Sequence, residues 1–424
     1  MNEKLFQFIW QNRHFNLRNL ATTSGQKIEI IKSGILNLHQ GPDFLNGKLK
    51  IGETLWAGSI ELHLKSSDWQ KHNHSKDPNY DNVILHVVFE NDTDLKLNIP
   101  TLELKGRISA NLLGRYSDLM QSTLFIPCQS QIINTDSLVF SSWKERMLVE
   151  RLEQKVSQIL ILLESNKYHW EEVFWWMLAA NFGMKVNSSS FEKIARTIPL
   201  KILTKHKFQL IELEALLLGQ AGLLDTYFED SYAILLKREY IFLKKKYNLE
   251  KVHYPLYFLR MRPANFPTIR LAQLAALINR SNHLFSLIKN EKDLNIIMSY
   301  FNVEANDYWH YHYHLGEETS FKRKFIGKEM VRNIIINTII PILFTYAKVN
   351  KIESLKEQTL NWLSKIAAEK NKITSGFQNI GVENLNAFDS QALLHLKKEY
   401  CNYKRCLECS IGSNILKLSE SPVV

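Results

Sequence analysis

The chain has 424 residues, 45% hydrophobic and 23% charged, with 16 Gly and 10 Pro, a composition that excludes collagenous, low-complexity and disordered classes. At this length roughly two or three domains are expected, each able to bury a core without disulfide or metal staples. The opening MNEKLFQFIW lacks the long apolar core of a secretory signal, and the most apolar window, Ile334 to Phe344, is interrupted by Asn337, Thr338 and Pro341. A cytoplasmic protein with no membrane span is therefore expected.

The formal charge of +10 is unevenly spread: residues 1–128 carry 14 basic and 13 acidic side chains, against 39 and 30 in the remainder. The periodicity changes at about the same place. Leu5, Phe6, Ile9 and Trp10 fall at helical spacing over Glu3 to His14. Short β-rich runs follow between residues 27 and 107: KIEIIK, GKLKI, LWAGSIELHL, NVILHVVF and LNIPTLELKG. From Ser142, which has capping-box spacing to Glu145, Leu148, Leu152, Val156, Ile159 and Leu163 form one apolar stripe. Helical patterns continue near 170–182, 208–221, 230–246, 268–281, 326–349, 352–371 and 389–400. The reading is an α+β chain: a mixed α/β domain over 1–130, then a large, mostly helical region over 131–424.

Residues 41–63, GPDFLNGKLKIGETLWAGSIELH, carry the main chemical signal. Alternation along a strand puts Glu61, His63 and Lys65 on one side and Ile60 and Leu62 on the other. If Asp43 begins a neighbouring strand, it can meet Glu61. Two carboxylates would then be available for Mg²⁺ or Mn²⁺ beside a basic group that orients water, the requirements of phosphodiester hydrolysis. The blander reading is a turn at Pro42-Asp43 followed by the exposed side of a half-buried strand. The following SSDWQKHNHSKDPNYDNVILHVVFE adds Asp68, His72, His74, Asp77 and His86. These suit an alternative His/carboxylate site for Zn²⁺, Mn²⁺ or Fe, or a polar loop packed on Trp69 and Tyr80, with His86 a hydrogen-bonded strand histidine.

On Pro42-Asp43, Glu61-Leu62-His63 and the order of elements around them, the first 90 or so residues resemble the PD-(D/E)XK nuclease superfamily, built as helix–strand–strand–strand–helix–strand. The resemblance implies metal binding by Asp43 and Glu61, with His63 where the superfamily has lysine and Lys65 able to substitute spatially. More broadly, GPDF, WAGSIELH, SSDW, HNH, YDNVILHVV, RMRPANFPTIRLAQLA and YCNYKRCLECSIG are similar to a bacterial domain-of-unknown-function family, number 2851. That likeness implies no activity.

Of four cysteines, Cys401, Cys406 and Cys409 have C-x4-C-x2-C spacing, and Cys128 is the one other thiol available to complete a zinc or iron–sulfur site. Buried reduced thiols are the alternative. A subset of PD-(D/E)XK nucleases is similar in using one upstream and three C-terminal cysteines, although there the upstream one precedes the nuclease motifs. WHYHYH, residues 309–314, reads as an amphipathic strand or packed loop, and GPDFLNGKL fails the phosphate-loop spacing. Lys237, Arg238, Lys244, Lys245 and Lys246, with Arg260 and Arg262 nearby, are candidates for nucleic-acid phosphates, or else a solvated helix face. Three functions stay open: a metal-dependent nuclease or nuclease-derived DNA-processing protein, a noncatalytic nucleic-acid-binding or assembly protein with a degenerate nuclease-like domain, and a His/Asp metal hydrolase of small molecules. DNA or RNA as substrate is equally open.

Overall fold

A computed structural model describes residues 1–93, 97–250, 254–281 and 283–417. It is α+β, with a mixed sheet near the N-terminus and mostly helix thereafter. The chain divides into two compact units, one of Met1–Arg146, Ser375–Val382 and the chain from Leu393, the other of Met147–Thr374 and Glu383–Ala392.

The first unit opens with α1 (Glu3–Asn12), whose first turn is capped by the Asn2 side chain accepting from the Leu5 N–H at 2.9 Å. Its buried stripe of Leu5, Phe6, Ile9 and Trp10 is the one the periodicity predicts. Strands β1 (Ile28–Lys32), β2 (Ile35–Leu36), β3 (Phe44–Ile51) and β4 (Thr54–Lys65) follow, with β1 and β2 both antiparallel to β3, and β3 antiparallel to β4. A crossover over residues 66–82 holds the short helix α2 (Asp68–Lys71) and leads to β5 (Val83–Glu90), parallel to β4; β6 (Thr101–Glu103) lies parallel to β5. The sheet order is β1-β3-β4-β5-β6, with β2 also on β3. The crossover returns so close to β4 that a Cβ on Gly58 would sit 2.6 Å from the Asn82 carbonyl oxygen. Only glycine allows that approach, and it brings Asn82 within 2.8 Å of the Ser59 N–H.

Two expectations need correction. Helix α3 (Ala110–Gln121) was not anticipated, and α4 (Ser137–Ser165) starts before Ser142 because Asp136 accepts from the N–H groups of Leu138 and Val139 at 2.7 and 3.3 Å. The boundary expected at residue 130 falls inside the first unit, which also recruits the C-terminal segment. Arg115 of α3 donates to the Ile415 carbonyl at 3.0 Å, Lys404 donates to the Met120 carbonyl, and Phe125 meets Phe377 edge-on at 5.3 Å. Contacts this distant in sequence leave no local pattern to read.

The second unit is helical. Lys328–Val349 forms one continuous helix whose π turn, Ile335–Ile339, precedes Pro341 and absorbs the hydrogen bond that proline cannot donate. The helix falls within the 326–349 pattern; contrary to the reading of its interrupted apolar window it is long and apolar enough to cross a bilayer, but 78% of its most apolar window is buried, as in a core helix. Another buried feature is Glu214, fully enclosed, whose Oε2 accepts from Trp309 Nε1 at 2.9 Å and from the Tyr232 hydroxyl at 2.8 Å, while Oε1 has no hydrogen-bond partner. Burial raises its carboxyl from 4.5 to about 7. The folded state therefore keeps a proton that the unfolded state releases, so this group's stabilisation declines as pH rises from about 4.5 to 7 and is flat above. The Glu214→Gln variant should lose less stability than wild type between pH 5 and 8 in urea unfolding, a difference on the order of 3 kcal/mol at most. Parallel pH profiles for the two proteins would contradict this assignment.

Candidate metal centre

Asp43 immediately precedes β3, and Glu61 lies in β4. The Asp43 N–H donates to Glu61 Oε2 at 3.0 Å, and the Leu62 N–H donates to Asp43 Oδ2 at 3.0 Å, two bonds joining residues 18 and 19 apart in sequence. Gln7 of α1 donates to the other Asp43 oxygen at 2.7 Å. Both carboxyls are pushed up by burial, and Glu61 is raised further by the neighbouring Asp43 charge, to about 8. Without a cation, Glu61 therefore holds its proton at neutral pH.

His63 projects to the same side of β4 as Glu61, with Nε2 3.6 Å from Glu61 Oε1. The parallel register sets Glu61 beside His86, whose Nε2 is 2.9 Å from His63 Nδ1. His63 Nε2 also lies 3.2 Å from His72 Nδ1. His74 completes the group, its Nε2 3.5 Å from Glu61 Oε1. The coordinating atoms of His63, His72 and His74 all lie within 4.8 Å of one another. His63, His74 and His86 are almost wholly enclosed, whereas His72 faces solvent. Burial, reinforced by the neighbouring histidines, depresses His63 to about 3, and burial depresses His86 to about 4. Their rings are neutral at physiological pH, and a neutral ring nitrogen retains the lone pair that ligates metal.

The crossover arranges these rings. Trp69, 2% exposed, donates from Nε1 to Ser75 Oγ at 2.9 Å and packs edge-on to His63 and His74. Asn73 takes left-handed backbone, φ 57°, which turns the chain between His72 and His74. Tyr80 stacks on His74 with centroids 3.8 Å apart. The His74 Nε2 atom is buried without a hydrogen-bond partner, as is His86 Nδ1. A buried ring nitrogen that faces a carboxylate 3.5 Å away, within a cluster of imidazoles, is a donor set that could hold a metal ion.

Of the sequence candidates, Asp43, Glu61, His63, His72, His74 and His86 come together. Lys65 does not join them: its Nζ is exposed and lies 4.0 Å from Asp92. Asp68 caps the Lys65 N–H at 3.1 Å and pairs with Lys71, while Asp77 caps the turn at Asn79. In WHYHYH, His310 pairs with Glu304 at 3.1 Å and His312 meets the Tyr308 carbonyl at 2.8 Å, while His312–His314 forms a short strand antiparallel to Glu317–Glu318, the strand alternative of the expectation.

All four cysteines are free and lie in the first unit. Cys128, Cys406 and Cys409 are buried and Cys401 is partly so, with thiols raised by burial, Cys128 and Cys406 to about 12. Segments 120–143 and 397–412 interlock around them: Trp143 packs edge-on to Tyr400 at 5.4 Å, and Lys397 lies over Phe125 at 4.9 Å. A Cβ on Gly412 would sit 2.2 Å from the Cys406 carbonyl oxygen. Burial raises the Cys409 thiol, a shift that hydrogen bonding from the Gly412 and Ile411 backbone partly opposes.

Of the basic candidates, Lys245 and Lys246 are exposed on the helix Ser231–Tyr247, with Lys246 over the exposed Phe242 ring at 5.7 Å. Lys244 is half-buried, Lys237 donates to the Thr226 carbonyl, and Arg238 pairs with Glu239. Arg260 and Arg262 are exposed in the loop that follows.

Residues 3–372 match the family described as Protein of unknown function (DUF2851). The chain belongs to that family. The matched span takes in Asp43, Glu61 and the histidine cluster, but ends before Cys401, so YCNYKRCLECSIG lies outside the match that the sequence resemblance assigned to it. No curated protein and no solved structure matches the chain.

Proposed function

We propose that this member of the DUF2851 family is a metal-dependent phosphodiester hydrolase of the nuclease type, with its centre at Glu61, His63, His72 and His74. The observation that carries the reading is the pair of hydrogen bonds, Asp43 N–H to Glu61 and Leu62 N–H to Asp43, that sets the two carboxyls beside His63 Nε2. The order of helix, antiparallel strands, crossover and parallel strand is compatible with this reading, although the crossover holds only the four-residue helix α2.

The donor chemistry favours a different ion from the Mg²⁺ of the PD-(D/E)XK superfamily. Three imidazole nitrogens and one carboxylate oxygen suit Zn²⁺ or Mn²⁺, while Mg²⁺ prefers oxygen alone. Separations of 3.2, 3.5 and 3.6 Å between neighbouring ligand atoms fit a tetrahedral edge of about 3.4 Å, set by bonds near 2.1 Å. When bound, such an ion polarises a phosphoryl oxygen and acidifies water. The remaining work falls to the chain. Asp43 holds Glu61 through its backbone N–H, a positioning role; its own carboxylate is already engaged by Gln7 and Leu62. His86 fixes the His63 ring so that Nε2 faces the cluster. His72, exposed at the edge, leaves a side open to substrate.

The test is incubation of purified protein with labelled single- and double-stranded DNA and RNA, with Mn²⁺, Zn²⁺ or Mg²⁺ and with chelator. Cleavage of at least one substrate that chelator abolishes is expected. Metal-dependent binding without cleavage would point to the assembly reading instead.

For the second unit we propose phosphate contacts by Lys245 and Lys246, with Phe242 available to stack on an unpaired base. Reversing Lys244, Lys245 and Lys246 to Glu should weaken binding of all sequences about equally and flatten its salt dependence. An unchanged salt slope would show that these lysines only solvate the helix and complement its C-terminal dipole.

We further propose that the four cysteines hold zinc or an iron–sulfur cluster that ties the C-terminal segment into the first unit. Every cysteine of the chain lies in this one region, three of them buried, and the C-x4-C-x2-C spacing of Cys401, Cys406 and Cys409 suits thiolate ligation.

A further inference from the structure

The run RMRPANFPTIR, residues 260–270, belongs to neither metal site. Pro263–Asn265 forms a tight turn and Pro267 starts the helix Pro267–Arg280, whose first turn ends at Arg270. Arg270 is 7% exposed and lines a cavity of about 400 Å³ in the second unit. Its Nη1 donates to Gln273 Oε1 at 2.8 Å and its Nη2 to Asn265 Oδ1 at 2.5 Å, while the buried Nε has no hydrogen-bond partner. Among the described residues no carboxylate stands within ion-pair distance of this guanidinium. Two amide oxygens satisfy hydrogen bonds but do not neutralise a buried unit charge, and burial of an unpaired charge is strongly unfavourable.

The cavity wall adds to the positive potential. Arg262 and Lys370 line it, are exposed, and form no ion pair among the described residues. Arg332 also lines it but is paired with Glu329 at 2.6 Å, and the remaining acid, Glu369, accepts a hydrogen bond from Gln391. Four cations face two carboxylates, both of them engaged, so a net +2 surrounds the space. We propose that this cavity binds a phosphate group, with Arg270 as its buried floor and Arg262 and Lys370 closing on the anion from the rim. A fork of guanidinium N–H donors matches phosphate oxygens, and a counter-anion supplies the neutralisation that Arg270 lacks. A volume of about 400 Å³ lies within the usual range for small organic ligands, leaving room for the organic part of a phosphate monoester.

The test is isothermal titration of the full chain with inorganic phosphate and, separately, with adenosine 5′-monophosphate. Both titrations are run in chelator, so that metal in the first unit takes no part. Wild type should bind at least one of them saturably at one equivalent. A tenfold or greater preference for the nucleotide would show that the organic part is seated, and equal affinity that the anion alone is recognised. Arg262→Gln and Lys370→Gln, both at exposed positions that leave the core intact, should each weaken binding at least fivefold. Arg270→Gln should abolish it, with circular dichroism verifying the fold. Absence of saturable binding to either ligand, or an Arg262→Gln/Lys370→Gln double variant that binds like wild type, overturns the proposal.

Discussion

Protein carrying His63→Ala should bind Mn²⁺ at least about 100-fold more weakly than wild type, read by the loss of free-ion electron paramagnetic resonance signal during titration. His63 is central to the cluster, its Nε2 lying within 3.6 Å of Glu61 Oε1 and 3.2 Å of His72 Nδ1, and its Nδ1 tied to His86. Its removal deletes one ligand and frees the rings that it orients. His86→Ala leaves the ligand set intact and loosens one ring, so a loss of roughly 10–100-fold is expected, the range for groups that orient a metal ligand. Lys65→Ala should change nothing, because that ammonium faces Asp92. Mn²⁺ is the chosen ion because it disfavours thiolates, which keeps the cysteines out of the titration. Equal Mn²⁺ affinity in wild type and His63→Ala would remove the metal centre.

The second large effect concerns the thiols. Protein purified without oxygen should carry about one zinc ion or one iron–sulfur cluster per chain at this site, and Cys406→Ser should lose it. Brown visible absorption marks a cluster, and colourless protein containing zinc marks the single ion. Burial holds the metal-free thiols protonated, so binding releases protons and tightens as pH rises. Loss of the metal should lower the melting temperature of the first unit by several degrees, at roughly 2–4 °C per kcal/mol for a unit of this size. Wild-type protein that is metal-free and unaffected by chelator would leave only buried thiols. The serine variant alone cannot mimic that result, since metal content is measured on the wild type.

Part of this was legible in the sequence. Strand alternation alone puts Glu61 and His63 on one side of β4, and the burial of Leu148, Leu152, Val156, Ile159 and Leu163 follows from a 3.6-residue period. The position of Asp43 opposite Glu61 was conditional on strand pairing, which the β3–β4 hairpin supplies. That His72 and His74 could share a site with nearby carboxylates was legible, but how their rings meet Glu61 and His63 was not, because it depends on a left-handed residue at Asn73 and on Trp69 filling the space beneath the crossover. Asn in a polar loop, HNH, was the available signal for that turn. The return of residues 393–417 to the first unit had no local signature; Cys128 and the C-x4-C-x2-C run were its one trace. Arg270 was hidden for another reason. A charged residue in the buried first turn of a helix contradicts the apolar pattern around it, and such conflicts mark sites rather than cores.

If Glu61 serves a hydrolytic metal centre, its charge governs the rate, and the most direct measurement is the initial rate of cleavage of the preferred labelled oligonucleotide by wild type and by Glu61→Gln at saturating Mn²⁺. The substitution keeps side-chain shape and an oxygen to accept from the Asp43 N–H, but removes the charge. A chelator-sensitive wild-type rate that falls at least about 100-fold in the variant, a barrier increase of about 2.7 kcal/mol, is the predicted result. Cleavage at the full wild-type rate by Glu61→Gln would contradict it.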